Sequence, residues 1–190
     1  MSNFIETYIT QSTESQSKLK RLAPEITKIV HNLAKVIRQG GTIYSCGNGG
    51  SACDAMHLTE ELVARYLRER PGIRAQHFLD PSTMSCWSND YDYDTVFSRQ
   101  AETFLTDKDA LIVFSTSGNS PNIVKVLNVA KARSTLSIAL LGKTGGHCLD
   151  LAEHVLLVES MVTSQIQEAH MLLVHMICDL LEQELFPNAK

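Results

Sequence analysis

The 190-residue sequence has five cysteines (Cys46, Cys53, Cys86, Cys148 and Cys178) but no C-x-x-C pair among them. An odd set of unpatterned thiols excludes a disulfide framework and argues against a thiolate zinc site. No run approaches the roughly 18–20 consecutive apolar residues of a membrane span. The start, Met-Ser-Asn-Phe-Ile-Glu-Thr-Tyr, lacks the basic region and apolar stretch of a signal peptide, so the expected location is the cytoplasm. A basic excess is also missing: 17 Lys and Arg against 21 Asp and Glu leave a formal charge of -4, which speaks against a nucleic-acid binder. Linkers, tandem repeats and low-complexity segments are absent too. What is there, 44% hydrophobic and 20% charged residues, describes one globular domain able to bury about 70% of its unfolded surface. Any anionic ligand must be held by local groups, since the protein as a whole repels it weakly.

Periodicity predicts the elements. Residues 2 to about 20 place Phe4, Ile5, Tyr8, Ile9 and Leu19 at roughly helical spacing. From Pro24, residues Ile26, Ile29, Val30, Leu33, Val36 and Ile37 repeat at three to four, and Gly40-Gly41 ends that second helix. A short β-type run, 42–46, leads into the turn Gly47-Asn48-Gly49-Gly50-Ser51 and a helix from Ala52 to about Tyr66. The unit recurs: the apolar run Ala110 to Phe114 has the character of a buried parallel strand, meets Ser115-Thr116-Ser117-Gly118-Asn119-Ser120, and gives way to a helix at Pro121 with Ser120 as N-cap. A third strand over 136–141 precedes Gly142-Lys143-Thr144-Gly145-Gly146. Smaller strands are expected at 73–79 and 154–158, and a long helix over about 164–186 closes the pattern. Alternating strands and helices of this length predict a three-layer, doubly wound α/β sandwich with a mainly parallel sheet, preceded by two N-terminal helices. Ligands in such sheets collect at the carboxyl ends of the strands, where the two polar loops fall.

The glycine loop can turn tightly, admit a ligand close to the backbone and offer the free N–H groups of the following helix, so it can bind an anion without lysine. It is not a Walker A sequence, and Gly47-x-Gly49-x-x-Ala52 fits only the relaxed dinucleotide fingerprint, a weak pattern. In the serine loop, the hydroxyls of Ser115, Thr116, Ser117 and Ser120 surround one helix N-terminus, which suits a phosphate. Each loop alone also reads as an ordinary βα connection; the two together favour a phosphorylated ligand. His57 and Glu61, four apart, share one helix face, an arrangement that is more often a surface hydrogen bond than a metal site.

The succession strand, Gly47-Asn48-Gly49-Gly50-Ser51, helix, strand, Ser115-Thr116-Ser117-Gly118-Asn119-Ser120, helix resembles the sugar isomerase (SIS) domain. The fuller string from Ser45 to His57, with Glu60-Glu61-Leu62 and Ile166-Gln167-Glu168, is similar to the phosphoheptose isomerase branch of that family, and the likeness covers nearly the whole chain. The resemblance implies a single SIS domain over 1–190, with helices in 1–40 packing on the domain and in an oligomer. It implies zinc held by His57, Glu61, Gln167 and His175, Glu61 as catalytic base and His175 as catalytic acid. It further implies substrate contacts from Asn48, Gly49, Gly50, Ser51, Glu61, Asn89, Asp90, Ser115, Thr116, Ser117, Ser120 and Gln167. From the residues alone, Ser88-Asn89-Asp90 reads equally as a turn or helix cap.

The activity so implied is conversion of sedoheptulose 7-phosphate to D-glycero-D-manno-heptose 7-phosphate through an enediol, the first step toward nucleotide-activated heptose. The phosphorylated seven-carbon sugar would be its partner, in a homotetramer with sites near subunit interfaces. Gln167 and His175 are eight residues apart, about 12 Å along a helix, so joining both to one ion requires long reach or two chains. One departure is Gln165, where the family commonly has Arg. Leu185-Phe186-Pro187 and the N-terminal segment also resemble a related branch that binds the replication initiator DnaA. In that branch the glutamate and last histidine are replaced, whereas Glu61 and His175 are both present here. A sugar-phosphate sensor is the third reading.

Overall fold

The computed structural model describes residues 1–189. Helix α1 (Ser2–Ser17) passes through a 3-10 turn (Lys18–Leu22) into α2 (Ala23–Arg38). There follow β1 (Ile43–Gly47), α3 (Gly50–Val63), β2 (Ala75–His77), α4 (Pro81–Asp90), α5 (Val96–Phe104), β3 (Ala110–Ser115), α6 (Pro121–Ala132), β4 (Leu136–Gly142), β5 (His154–Val158) and α7 (Thr163–Leu185). The five strands form one sheet in the order β2-β1-β3-β4-β5, and every pairing is parallel. Strand β3 lies at its centre and is buried at all six positions, which is why its sequence is a continuous apolar run rather than an alternating one. Helices α2, α3 and α7 pack together on one side, and α5 packs against α6 on the other.

The order of the strands creates the site. From β1 the chain passes through α3 to β2 at one edge, whereas from β3 it passes through α6 toward β4 and the opposite edge. Adjacent strands whose connections depart in opposite directions leave a crevice between their carboxyl ends. The glycine loop and the serine loop form its two lips.

Several boundaries differ from the pattern-based expectation. Helix α3 ends at Val63, not near Tyr66, because the backbone N–H groups of Tyr66, Leu67 and Arg68 are taken by the carboxylate of Glu182, far along the chain. The strand expected over 73–79 shrinks to three residues at the sheet edge. Helices α4 and α5 fill a stretch in which no element was expected; α4 has no buried residue, so it carries little periodic apolar signal. Ser120 is the N-cap of α6 and Pro121 its first residue, but the Ser120 hydroxyl makes no capping hydrogen bond and stays available to the crevice.

Helix α1 touches the body of the fold through polar groups: the Tyr8 hydroxyl donates to Glu168 Oε1 and accepts from the Ser164 hydroxyl (both 2.8 Å), and Ser12 donates to Glu168 Oε2. Of its expected apolar set, Phe4, Ile5 and Ile9 remain 72%, 56% and 59% exposed. Gln165 is buried, accepting a hydrogen bond from Ser160 (3.1 Å) and reaching Gln11 Oε1 (3.4 Å). A neutral amide suits this enclosed, uncharged setting. The cysteines are free thiols, and no described helix is long and apolar enough to cross a membrane.

Two histidines outside the crevice serve the packing of the fold. His154 on β5 meets Glu25 of α2 at 2.6 Å, and Asn32 binds its other ring nitrogen. His170 on α7 is fully buried, its Nε2 donating to the Leu141 carbonyl while its Nδ1 has no partner. Burial pushes the His170 imidazole down to about 4 from 6.5. A depressed pKa contributes stability that is complete above the unfolded value and is lost as pH falls through the folded one. The protein is therefore expected to lose about 3 kcal/mol from this group between pH 6.5 and 4. Thermal unfolding across that range should be measurably flatter for His170→Leu. Equal pH dependence in both proteins would contradict it.

Candidate active site

At the first lip, Gly49 has φ +57°, a conformation that glycine adopts without the Cβ penalty, and it is the N-cap of α3. At the second lip the hydroxyls project from the end of β3 and the start of α6. The two loops enclose a cavity of about 60 Å³ lined by Asn48, Ser51, Phe114, Ser115, Thr116, Ser117 and Ser120. Six of the expected substrate-contact residues thus meet in one place, at the N-termini of two helices. That arrangement supplies N–H and O–H donors without a basic side chain, as a bound phosphate would require in a protein of net negative charge.

Two residues outside the lining hold this cavity in shape, and both escaped the sequence reading. Asn48 and Asn122 form a reciprocal amide pair (2.8 and 2.9 Å) that cross-links the loops, and the Tyr93 hydroxyl donates to Asn48 Oδ1 at 2.8 Å. Ser115 Oγ accepts the Gly118 N–H at 3.0 Å, tightening the second loop. The only sequence signal for Asn122 was a polar residue in the first turn of an otherwise apolar helix. Tyr93 offered none. Asn89 and Asp90 are not in the cavity: both are exposed on the last turn of α4 and bonded to each other at 2.9 Å.

A second cluster lies along the seam between α3 and α7, which run side by side in the same direction. Gln167 rests against Gly50, where a side-chain carbon would overlap its amide, and His175 stands two turns later beside His57. His57 Nε2 is 3.2 Å from His175 Nε2 and 3.2 Å from Glu61 Oε1. All three side chains are half-buried, with Glu61 the least exposed of the α3 pair. Tyr66, just past the end of α3, lies flat on His175, with ring centres 5.4 Å apart and planes 16° apart. Asp54, one turn before His57, is buried with Oδ2 unpartnered, and its carboxyl is pushed up to about 6 by burial, opposed by His57.

The three donor atoms fit a small divalent cation. An ion with ligands at about 2.0–2.1 Å in a tetrahedral arrangement holds its donors roughly 3.3–3.4 Å apart, close to the two 3.2 Å separations here. Two imidazoles and a carboxylate are also a set that zinc accepts while keeping a position open. Gln167 does not join them within this chain; its amide is at the glycine loop, about two helical turns away.

Residues 7–142 match the model of the SIS domain. The chain is 42% identical over 184 residues to the phosphoheptose isomerase of Vibrio cholerae, covering 90% of this chain and 96% of that one. It is 42% identical over 186 residues to the phosphoheptose isomerase of Cytophaga hutchinsonii, covering 97% and 91%. Among solved structures, a phosphoheptose isomerase from Francisella tularensis superposes with a TM-score of 0.91 at 30% identity, covering 95% of this chain and 97% of that one.

Proposed function

Since the chain belongs to the SIS-domain family, in its phosphoheptose isomerase branch, we propose that the serine-lined crevice holds the phosphate and the His57–Glu61–His175 cluster carries the chemistry of that branch. The protein is an aldose–ketose isomerase of sedoheptulose 7-phosphate. The observation that carries the assignment of residues is the convergence of two imidazole nitrogens and one carboxylate oxygen on the same helix seam that begins at the phosphate cavity. Ser51 and His57 are six residues apart on α3, about 9 Å along its axis, a separation that suits an extended sugar with its phosphate at one end and its carbonyl at the other.

In this reading Ser115, Thr116, Ser117, Ser120 and the Ser51 hydroxyl donate to the phosphate, joined by backbone N–H groups of Gly49 and Gly50, while the Ser51 N–H closes the turn on the Asn48 carbonyl (3.0 Å). Asn48 keeps the two lips in register, and Gln167 contacts the sugar beside Gly50. Glu61 removes a proton from C1 while His175 gives a proton to the C2 oxygen, forming the enediol. Glu61 then returns its proton to C2 as the C1 hydroxyl proton passes to His175, leaving the aldose and restoring both groups. A carboxylate has two oxygens and an imidazole two nitrogens, so in Glu61 one oxygen can face His57 while the other takes the proton, and in His175 the nitrogen turned away from His57 can carry the proton that is moved. His57, Glu61 and His175 would hold zinc, which when bound withdraws electron density from the substrate oxygens and makes the neighbouring C–H more acidic. Gln167 could serve as a fourth ligand only from a second subunit. The exposed Phe4, Ile5 and Ile9 on α1 support assembly with further copies, in line with a homotetramer. Asn89 and Asp90, exposed at the rim, would then act at a subunit boundary.

The test is turnover. Purified protein supplied with zinc is expected to convert sedoheptulose 7-phosphate to the aldose phosphate, to lose activity on chelation and to regain it on adding zinc back. Metal analysis should find His57→Ala depleted relative to the unaltered protein. Full activity in metal-free protein would remove zinc from the mechanism, and no turnover under any metal would remove the isomerase assignment.

A further inference from the structure

We propose that Tyr66 is a positioning residue: held from beneath by Glu182, its ring sets the plane of the His175 imidazole in the active site. The proposal rests on the functional reading above, in which His175 moves a proton.

Tyr66 lies outside any helix or strand, in the loop that follows α3, yet its backbone N–H is anchored on a buried carboxylate. Glu182 is wholly buried. Its Oε1 accepts the Tyr66 N–H (2.9 Å) and Arg70 Nε (2.9 Å), and its Oε2 accepts the N–H groups of Leu67 (3.1 Å) and Arg68 (2.9 Å). Arg70, equally buried, closes the other end by donating to the carbonyls of Glu61 and Leu62 (both 2.8 Å). One carboxylate and one guanidinium therefore tie the last turn of the helix bearing Glu61 to the loop bearing Tyr66.

Glu182 and His175 are seven residues apart on α7, so they lie on one stripe of that helix, two turns from each other. Tyr66 spans the gap, with its backbone on Glu182 and its ring on His175. His57 meets the same ring at its edge, with planes 69° apart and the two Nε2 atoms 3.2 Å apart. An imidazole stacked on a parallel ring and met at one nitrogen by a second imidazole has little freedom to turn about its last side-chain bond. That bond is a broad, roughly two-fold torsion when nothing packs against it. Proton transfer requires the ring nitrogen to be within hydrogen-bond reach of the substrate oxygen, so holding the plane is a contribution to rate more than to binding. The Tyr66 hydroxyl makes no hydrogen bond among the described residues, which leaves the ring face as the functional part.

The experiment compares Tyr66→Phe and Tyr66→Leu in the full-length, zinc-loaded protein. The Phe variant is expected to keep kcat and KM. The Leu variant should lose roughly tenfold in kcat with KM and thermal midpoint little changed, as misorientation of an acid–base group predicts. In metal-free protein, the His175 ring resonances should carry an aromatic ring-current shift in the unaltered protein and the Phe variant, and lose it in the Leu variant. Wild-type kcat in Tyr66→Leu, an equal loss in Tyr66→Phe, or a loss of kcat matched by equal changes in KM and midpoint would overturn the proposal. Absence of turnover in the unaltered protein would instead strike the isomerase reading, while the ring-current comparison still decides whether Tyr66 sets the imidazole.

Discussion

Glu61→Gln is expected to lower kcat for sedoheptulose 7-phosphate by roughly 10²–10⁴-fold, the range over which a positioned general base contributes. The substitution keeps the volume of the side chain and an oxygen to face His57 Nε2, now 3.2 Å from Glu61 Oε1, so the seam between α3 and α7 should stay intact. What it removes is a group able to take a proton from carbon. The same variant should fail to exchange the substrate C1 hydrogen with deuterated solvent, which separates loss of proton abstraction from slow product release. His175→Ala should also stop turnover, because the C2 oxygen then has no acid within reach. Circular dichroism and thermal melting report whether the fold survives. An intact Glu61→Gln protein retaining more than about a tenth of the activity would exclude Glu61 as the base, given the expected span.

Glu182→Ala should be the most destabilising single change in the region, by about 3–5 kcal/mol. Burial by itself pushes the Glu182 carboxyl up, but hydrogen bonds from the backbone N–H groups of Arg68, Tyr66 and Leu67 and from the Arg70 side chain hold it below the usual range. The carboxylate is thus charged and fully used. Its removal strands the buried Arg70 guanidinium, leaves three N–H groups without their acceptor and opens a cavity at a fully buried position. For a chain of this size the thermal midpoint should fall by on the order of 10 °C. Glu182→Gln, which retains an acceptor oxygen but no charge, should fall between the two. A midpoint within about 2 °C of the unaltered protein for Glu182→Ala would show that the clamp is energetically neutral, as some buried ion pairs are.

Sequence reasoning reached the architecture because its signals are local. The buried run 110–114 can only be a covered strand; a serine followed by proline marks the start of α6; Gly40 and Gly41 end α2. The order of strands and loops then put the polar segments at the carboxyl ends of β1 and β3 without further information. The stretch 80–90 was illegible because α4 is short, polar and unburied, and short polar helices carry no periodicity to detect; α5 buries Val96, Phe97 and Ala101 but spans only nine residues, too few for the pattern to repeat. The end of α3 was misjudged for a different reason. Nothing in residues 60–70 announces a stop at Val63; the acceptor that captures the next N–H groups is contributed from position 182.

The candidate site divides the same way. Residue types and loop chemistry, together with family likeness, singled out the serines, the glycine loop, His57, Glu61 and His175 from the one-dimensional chain. Which of them touch was decided only by the fold. Side-by-side packing of α3 and α7 brings His57 and His175 to 3.2 Å while leaving Gln167 two turns away on Gly50. The Asn48–Asn122 cross-link, the Tyr93 contact and the Tyr66 ring on His175 likewise join residues that no spacing rule relates. Helix and strand periodicity is a property of neighbours along the backbone, and the sequence by itself determined a doubly wound α/β domain with two anion-friendly loops. The meeting of donors, rings and carboxylates depends on how whole elements pack, and that is set by burial summed over the entire core.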